Sequence, residues 1–231
     1  MSVGHYENFP VASLLLPAWA REPVALIYRF ARSADDIADE GDDAPDVRLD
    51  KLNGYRRELE APTQPLFRDL DGLIHRHALP RQLFHDLLDA FSQDVVKKRY
   101  ATYAELLDYC RRSANPVGRL LLHLFKRTTE SDLARSDAIC SALQLINFWQ
   151  DVELDFAKGR IYLPQDEMAL HRVSEGQIAE ARCDAGWRSL MAFQADRTEA
   201  LMLSGAPLGR TLPGRIGLEI RATVAGGLRI L

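Results

Sequence analysis

Apolar residues recur at steps of three and four along most of the chain, which is the spacing of amphipathic α-helices. Between Pro23 and Glu40 this pattern is carried by Val24, Ile27, Tyr28, Ala31, Ala34 and Ala38. Gly41 and the polar residues up to Pro45 are typical of a segment that ends a helix. The pattern therefore predicts a first helix over residues 23–40.

The same spacing predicts helices over residues 47–59, 69–77, from 80 onward, 111–125, 131–155 and from about 215, and one or two helices over residues 173–203. Pro116 and Gly118 should kink or break the helix that contains them. No segment alternates strictly between apolar and polar residues, and no Asn-Gly pair marks a hairpin. The sequence therefore predicts an all-α fold, with a Gly/Pro-rich loop over residues 205–214.

Composition narrows the class of protein. The chain has 231 residues, of which 47% are apolar and 27% charged. These values are ordinary for a globular protein and exclude a disordered or fibrous chain. The 29 Lys and Arg residues against 33 Asp and Glu residues give a net charge of −4. Proteins that bind nucleic acid usually carry a basic patch or a high pI, so no nucleic-acid partner is expected.

Cysteine usage and hydropathy indicate the compartment. Cys110, Cys140 and Cys183 are far apart and form no C-x-x-C pair, which favours a reducing, cytoplasmic setting. The first eight residues are polar and lack the features of a secretory signal. The longest apolar stretch, residues 11–20, is too short to cross a bilayer, which requires about 20 residues.

Four carboxylates lie within six residues near the end of the first predicted helix. Residues four apart share a helix face, so Asp35 aligns with Asp39, and Asp36 aligns with Glu40. A solvated helix end is one explanation for such a run, because runs of charge are often exposed. A binding site for a cation is the other explanation.

A second polar stripe lies on the predicted helix over residues 131–155. Its members follow at steps of three, four and four, which places them on one face: Gln144, Asn147, Asp151 and Asp155. Apolar residues flank the stripe, among them Leu145, Phe148 and Trp149. We therefore expect the stripe to be largely buried.

Two acidic clusters on two helices favour a hard cation held between them. Carboxylate oxygens suit Mg²⁺, which commonly binds through one or two carboxylates and the phosphates of a substrate. A di-iron bundle requires a Glu-x-x-His motif on two helices, and no histidine here is preceded by Glu at that spacing. Zinc is poorly supported, because His75 and His77 lie on different faces of a helix.

Three segments resemble the squalene/phytoene synthase family. Residues 28–40, Tyr-Arg-Phe-Ala-Arg followed by the aspartate cluster, resemble the family's first aspartate-rich motif. Residues 147–164, from Asn-Phe-Trp-Gln-Asp to Gly-Arg-Ile-Tyr-Leu-Pro, resemble its second motif. Residues 109–118 resemble a third shared segment. Order and spacing agree over residues 5–231, which is far more specific than one aspartate cluster. The resemblance implies a single isoprenoid-synthase-type helical bundle with a central active-site cavity.

Within the family, the chain is most similar to bacterial hydroxysqualene synthases of hopanoid biosynthesis. The similarity rests on residues 5–13, on the Asn-Phe-Trp-Gln-Asp form of the second motif and on residues 225–229. It implies ionisation of presqualene diphosphate and capture of the cation by water. Condensing relatives usually carry Arg where this chain has Gln150, and often Lys where it has Glu7. A condensing synthase that uses farnesyl or geranylgeranyl diphosphate is the second hypothesis, and a non-catalytic scaffold protein is the third.

The resemblance and the two clusters together define the candidate site. The proposed Mg²⁺ ligands and catalytic carboxylates are Asp35, Asp36, Asp39, Asp151 and Asp155, with Asn147 completing the second cluster. Arg32 is a candidate to bind the diphosphate, and its alternative role is an ion pair with the adjacent aspartates. His5 and Arg160 are further candidates for the diphosphate, although Arg160 could instead cap a helix end. Tyr28 is a candidate cavity residue or part of the core. Tyr109, Gln144 and Gln150 are candidates to position the captured water.

Two expectations concern the surroundings of the site. Substrate and product are strongly apolar, so a cytoplasmic protein that docks on the inner membrane surface is one expectation. The residues that would dock, or else form core, are Leu14, Leu15, Leu16 and Trp19. The helical pattern is still running at Leu231, so a further C-terminal helix is expected. The oligomeric state is left open.

Overall fold

The structure, a computed structural model, describes residues 16–231. All regular structure in this range is helical, apart from one isolated parallel bridge between Arg99 and Ile161. The predicted all-α fold is therefore confirmed. No helix in the described range is long and apolar enough to cross a membrane.

The first half of the chain folds into six helices, and most begin where the sequence carries a helix-start signal. Their bounds are α1 Ala18–Asp39, α2 Pro45–Glu60, α3 Pro65–His77, α4 Gln82–Val96, α5 Tyr103–Ser113 and α6 Asn115–Leu124. Proline opens α2 and α3, where its missing N–H costs nothing. The first helix starts at Ala18, before the predicted Pro23, because the Ala20 amide already donates to the Pro17 carbonyl oxygen.

The predicted break near Pro116 is confirmed. The structure ends α5 at Ser113 and starts α6 at Asn115, with the proline at the second position of α6. Buried Ser141 on the next helix donates to Asn115 Oδ1 at 2.9 Å, which fixes the start of α6. Gly118 allows α6 to approach closely, because an added Cβ would lie 2.3 Å from Ser136 Oγ. The shared segment over residues 109–118 therefore makes a tight helix–helix junction.

The second half contains seven helices. Their bounds are α7 Glu130–Gln150, α8 Val152–Ala157, α9 Gln165–Leu170, α10 Glu175–Ala179, α11 Ala185–Gly205, α12 Leu208–Thr211 and α13 Gly214–Ile230. Two of them, α9 and α12, were not predicted, and the region predicted to form one or two helices over residues 173–203 contains two, α10 and α11. The short helices α9 and α12 span one or two turns, too few for a helical period to appear in the sequence. The last helix starts within a residue of its predicted position.

Helix α7 forms the centre of the second half, and it packs against α5, α6, α11, α12 and α13. Trp149 near its end donates from Nε1 to Thr198 Oγ1 of α11 at 2.9 Å, and both residues are buried. Leu16 is fully buried, whereas Trp19 is 51% exposed and contacts Phe125 edge-on. The core interpretation therefore holds for Leu16 and not for Trp19. Leu14 and Leu15 lie outside the described residues.

Candidate active site

The first carboxylate cluster lies at the end of α1, where one arginine bridges it. Arg32 Nη1 donates to Asp35 Oδ2 at 3.0 Å. Its Nη2 lies 2.7 Å from Asp36 Oδ1 and 2.9 Å from Glu40 Oε1. A guanidinium group can span several carboxylates because its donors form a planar fork. The ion-pair role of Arg32 is confirmed, and a contact with diphosphate stays a prediction.

Arg160 reaches the same cluster from the loop after α8. Its Nη1 donates to Asp39 Oδ2 at 2.9 Å, and its Nη2 donates to the other carboxylate oxygen. The same Nη2 lies 3.4 Å from the carbonyl oxygen of Asp94, in the last turn of α4. Only 8% of Arg160 is exposed. This side chain therefore joins the ends of α1 and α4, which includes the helix-end contact considered as its alternative role.

The second cluster follows the end of α7, which is interrupted at Asp151. The backbone there (φ −99°, ψ 18°) separates α7 from α8, so the prediction of one helix up to Asp155 is wrong. The Asp155 amide still donates to the Asp151 carbonyl oxygen at 2.8 Å, which keeps the two carboxylates one turn apart. Asp151 is exposed, and Gln144 and Asn147 are half-buried. The prediction of a largely buried stripe is therefore wrong, because α7 ends before the stripe does.

The carboxyl groups of the two clusters influence one another. Burial and then the charge of Asp39 raise the pKa of Asp35 to about 6. Burial and then the charge of Asp151 raise the pKa of Asp155 to about 6. Burial acts in the same direction on Asp39, but the hydrogen bonds and charge of Arg160 outweigh it and lower this pKa. Since Arg160 acts on all three groups, the clusters form one electrostatic site around it.

The donor set suits a divalent cation, although it does not form a closed metal site. Within residues 16–231, no three His, Cys, Asp or Glu side chains converge to hold a metal. Mg²⁺ does not require such a group, because it keeps several waters and uses substrate phosphates as ligands. Burial and then neighbouring carboxylates raise the pKa values of Asp35 and Asp155, and a bound cation would favour their charged forms. Both oxygens of Asp39, by contrast, bind Arg160.

Sequence reasoning missed a further acidic residue at this site, Asp94 on α4. It is only 6% exposed, and its Oδ2 accepts a hydrogen bond from the Tyr109 hydroxyl at 2.7 Å. Burial raises the pKa of Asp94 to about 7, against the lowering effects of Tyr109 and Arg160. The sequence did contain a signal, since Asp94 follows Leu87 and Phe91 on the apolar face of α4. A carboxylate at a core position is unusual unless it is paired.

Aromatic rings adjoin the carboxylates. Phe148, next to Asn147, stacks on Tyr162 with centroids 3.8 Å apart. Tyr100 and Tyr109 complete the group, with centroids 5.6 Å and 6.0 Å from that of Tyr162. Burial and the charge of Asp94 raise the pKa of Tyr109 well above its usual value, so this phenol keeps its proton. The sequence indicated Phe148 and Tyr109, but only the fold places them around one buried carboxylate.

An apolar cavity lies along α7 before the polar stripe. Its walls come from α6, α7, α12 and α13, and they include Leu121, Phe125, Ile139, Leu143 and Ile216. Leu143 immediately precedes Gln144, the first residue of the stripe, so the apolar and polar regions adjoin along one helix. The cavity and the polar stripe therefore share one helix.

The remaining predicted site residues occupy different surroundings. Tyr28 is half-buried on α1, one turn before Arg32. Gln150 is exposed and lines grooves formed with α10, α11 and α13, next to Met191 and Trp187. His5 lies outside the described residues. The roles of all three stay predictions.

A helical bundle that joins two carboxylate motifs beside an apolar cavity has the isoprenoid synthase fold, the class of enzymes that act on prenyl diphosphates. The sequence model of squalene/phytoene synthases matches residues 3–231, and the chain belongs to that family. Enzymes of this family use prenyl diphosphates.

Three relatives illustrate the similarity. The chain is 35% identical to a hydroxysqualene synthase of Zymomonas mobilis, over 94% of this chain and 75% of that protein. It is 34% identical to one of Rhodopseudomonas palustris, over 97% of this chain and 78% of that protein. The crystal structure of squalene synthase HpnC from Alicyclobacillus acidocaldarius superimposes with a TM-score of 0.90 at 36% identity, covering 98% of this chain and 87% of that one.

Proposed function

We propose that the protein ionises presqualene diphosphate and lets water capture the cation, which gives hydroxysqualene and diphosphate. The observation that carries this proposal is that Arg160 joins the two clusters, because its side chain binds the Asp39 carboxylate and its amide donates to the Asp155 carbonyl oxygen at 2.8 Å. The identities of 35% and 34% with two hydroxysqualene synthases support this reaction over others of the family.

The first step requires neutralisation of the diphosphate charge. Arg32 and Arg160 supply cationic donor forks that match phosphate oxygens. A divalent cation, proposed to be Mg²⁺, would act as a Lewis acid on the diphosphate when bound. Asp35, Asp36, Asp151 and Asp155 would hold it, with Asn147 as a further oxygen ligand. Asp39 would join them only if Arg160 moved from its carboxylate to the diphosphate.

The second step requires that the cation meets one water molecule and no bulk solvent. The stacked rings of Phe148 and Tyr162 are buried beside the carboxylates, and aromatic faces stabilise cations by about 0.5–2 kcal/mol each. The apolar side chains along α7 would shield the prenyl chains from water. These apolar and aromatic walls support capture of the cation by a single water molecule and not by bulk solvent.

The test supplies the protein with Mg²⁺ and either presqualene diphosphate or farnesyl diphosphate, without NADPH, and identifies products by mass spectrometry. Hydroxysqualene formed from presqualene diphosphate alone supports the proposal. Omission of Mg²⁺ should stop turnover. Failure to consume presqualene diphosphate under conditions where the protein is folded would overturn it.

Condensation of two prenyl diphosphates is the second candidate, because the superimposed HpnC structure is named a squalene synthase. It predicts presqualene diphosphate or another condensed product from farnesyl diphosphate alone. A substitution at Gln150 tests the difference from condensing relatives directly, since those relatives usually carry Arg at this position. Gln150→Arg should leave hydroxysqualene formation within about twofold if the exposed Gln150 lies outside the reacting site.

A further inference from the structure

Asp94 is a buried carboxylate with an unusual set of partners. Its carbonyl oxygen accepts from Lys98 Nζ at 2.6 Å and from Arg160 Nη2 at 3.4 Å. Its carboxylate makes no ion pair with any residue of the described range, and Oδ1 has no hydrogen-bond partner there. The nearby cations therefore bind its backbone, while the one hydrogen bond of its side chain within the described range is with Tyr109.

A buried carboxylate with one hydrogen bond and no ion pair lowers the stability of the folded state if its role is only structural. A buried carboxylate normally requires several hydrogen bonds or a paired cation. The groups that act on Asp94 from the packed elements are Tyr109, Arg160, Asp39 and Asp35, and the phenols of Tyr100 and Tyr162 feel its charge in turn. Burial raises the pKa of Asp94 to about 7, so it takes up a proton more readily than an ordinary aspartate.

The hydrogen bond to Asp94 also fixes the direction of the Tyr109 hydroxyl. The phenol donates its only proton to Oδ2, so its oxygen can only accept a hydrogen bond from a third group. Tyr109 lies in the aromatic group with Phe148 and Tyr162, which are neighbours in sequence of Asn147 and of Arg160. The acceptor is therefore next to the proposed site of ionisation.

We propose that Asp94 is a positioning residue that makes Tyr109 the proton acceptor for the captured water. This inference rests on the proposed function and specifies how its second step is completed. It assigns to Asp94 a role that neither the motifs nor the comparisons identified.

The C–O bond of presqualene diphosphate breaks, and its electron pair leaves with the diphosphate. A water oxygen forms the new C–O bond to the cation. One proton of that water passes to the Tyr109 oxygen, while the phenolic proton passes to the Asp94 carboxylate. Asp94 then loses this proton to solvent through the reverse relay after the product leaves.

The experiment measures diphosphate release and hydroxysqualene separately, with presqualene diphosphate and Mg²⁺. Asp94→Asn keeps the shape and an acceptor oxygen for Tyr109 but takes up no proton. We expect diphosphate release to persist while the ratio of hydroxysqualene to diphosphate falls about 100-fold, with elimination products replacing the alcohol. Tyr109→Phe should change the ratio in the same direction, and Asp94→Glu should restore part of it.

Tyr100→Phe is the matched control. Tyr100 lies in the same aromatic group, but its hydroxyl accepts from Gln93 Nε2 at 3.1 Å and does not bind the Asp94 carboxylate. Its product ratio should equal that of the unmodified protein. Thermal unfolding of each variant identifies loss of fold, and if Asp94→Asn does not fold, the product ratios of Tyr109→Phe and Asp94→Glu decide.

The possible results separate the two proposals. If the unmodified protein makes no hydroxysqualene, the proposed function is wrong and this inference falls with it. If it makes hydroxysqualene and Asp94→Asn keeps the same ratio, the inference alone is wrong. A parallel fall of diphosphate release and hydroxysqualene in folded Asp94→Asn would indicate a purely structural role and would also overturn it.

Discussion

The two carboxylate clusters differ in how their charge is balanced. At the end of α1, Arg32 binds Asp35, Asp36 and Glu40, and Arg160 binds both oxygens of Asp39. At α8, Asp151 is exposed and Asp155 has its pKa raised to about 6 by burial and by Asp151. The first cluster therefore forms ion pairs with two arginines, whereas Asp151 and Asp155 form no ion pair with any described residue and are offset only by the more distant charges of Arg160 and Lys158.

This difference assigns distinct tasks to the clusters. Ion pairs with carboxylates already hold these arginine side chains in place. Their guanidinium donors can therefore transfer from carboxylate oxygens to the oxygens of a diphosphate. A cluster without counter-ions attracts a cation more strongly, because no internal charge has to be displaced. We therefore expect the α1 cluster to provide anion binding together with cation binding, and the α8 cluster to provide cation binding.

The largest expected effect comes from removing one carboxylate charge in either cluster. Asp36→Asn and Asp151→Asn should each lower diphosphate release at least about 1,000-fold, because Lewis-acid stabilisation is worth several kcal/mol. Circular dichroism and thermal unfolding should stay close to those of the unmodified protein. Glu153→Gln, an exposed change on the same short helix as Asp155, is the control and should stay within about twofold. Retained turnover in both variants would contradict the cation-binding role.

Replacing the buried counter-ion Arg160 tests how much it stabilises the first cluster. Arg160→Gln leaves Asp39 without its partner and should lower the free energy of unfolding by about 3 kcal/mol. Lys158 also lies near Asp39, at 4.0 Å, but is exposed. Lys158→Gln should therefore cost less than about 0.5 kcal/mol in the same urea titration. Equal losses in the two variants would show that charge alone, and not the buried hydrogen bonds of Arg160, stabilises the cluster.

The pKa shifts predict opposite pH dependences for Asp155 and Asp39. The folded state holds the Asp155 proton up to about pH 6, whereas an ordinary aspartate releases it near 3.8. The free energy of unfolding should therefore fall as the pH rises between these values in the absence of divalent cations. The lowered pKa of Asp39 adds stability above pH 3.8 that is lost as the pH falls through its folded-state pKa.

Asp155→Asn provides the measurement for this contrast. Urea unfolding at pH 4.5, 5.5 and 6.5, values chosen to bracket the titration of a carboxyl group with a raised pKa, should show a smaller fall in stability than in the unmodified protein. Glu153→Gln is the control and should retain the original slope. An unchanged slope in Asp155→Asn would mean that another carboxyl group with a raised pKa, such as Asp35, determines this pH dependence.

The smallest expected effect on stability comes from Arg48 of α2, which supports the helix end that carries the first cluster. Arg48 donates to the carbonyl oxygens of Ile37, Ala38 and Gly41, at 3.1, 2.7 and 2.6 Å, and so holds the end of α1. Arg48→Met should lower the free energy of unfolding by about 1–2 kcal/mol. Lys51→Met, which removes an exposed cation on the same helix, should cost less than about 0.5 kcal/mol in the same measurement. The difference would disappear if Arg48 were only a surface charge.

Sequence reasoning succeeded where a single segment carries the information. The spacing of Asp35, Asp36 and Asp39 placed the first cluster on one helix, and Pro116 marked the break between α5 and α6. Prediction from the sequence failed where the end of a helix is determined by other parts of the chain. The interruption at Asp151 has no proline or glycine to announce it, and the turns α9 and α12 are too short for periodicity.

The sequence by itself determined the all-α class, the two carboxylate clusters and the family, because helical period and motif spacing are properties of neighbouring residues. Only the tertiary structure decided that Arg160 binds Asp39, 121 positions away along the chain. It also decided that Asp94 and Tyr109 form a buried pair. Long-range pairing of charges depends on which helix ends meet, and the burial that raises the pKa of a carboxyl group exists only after the chain has packed.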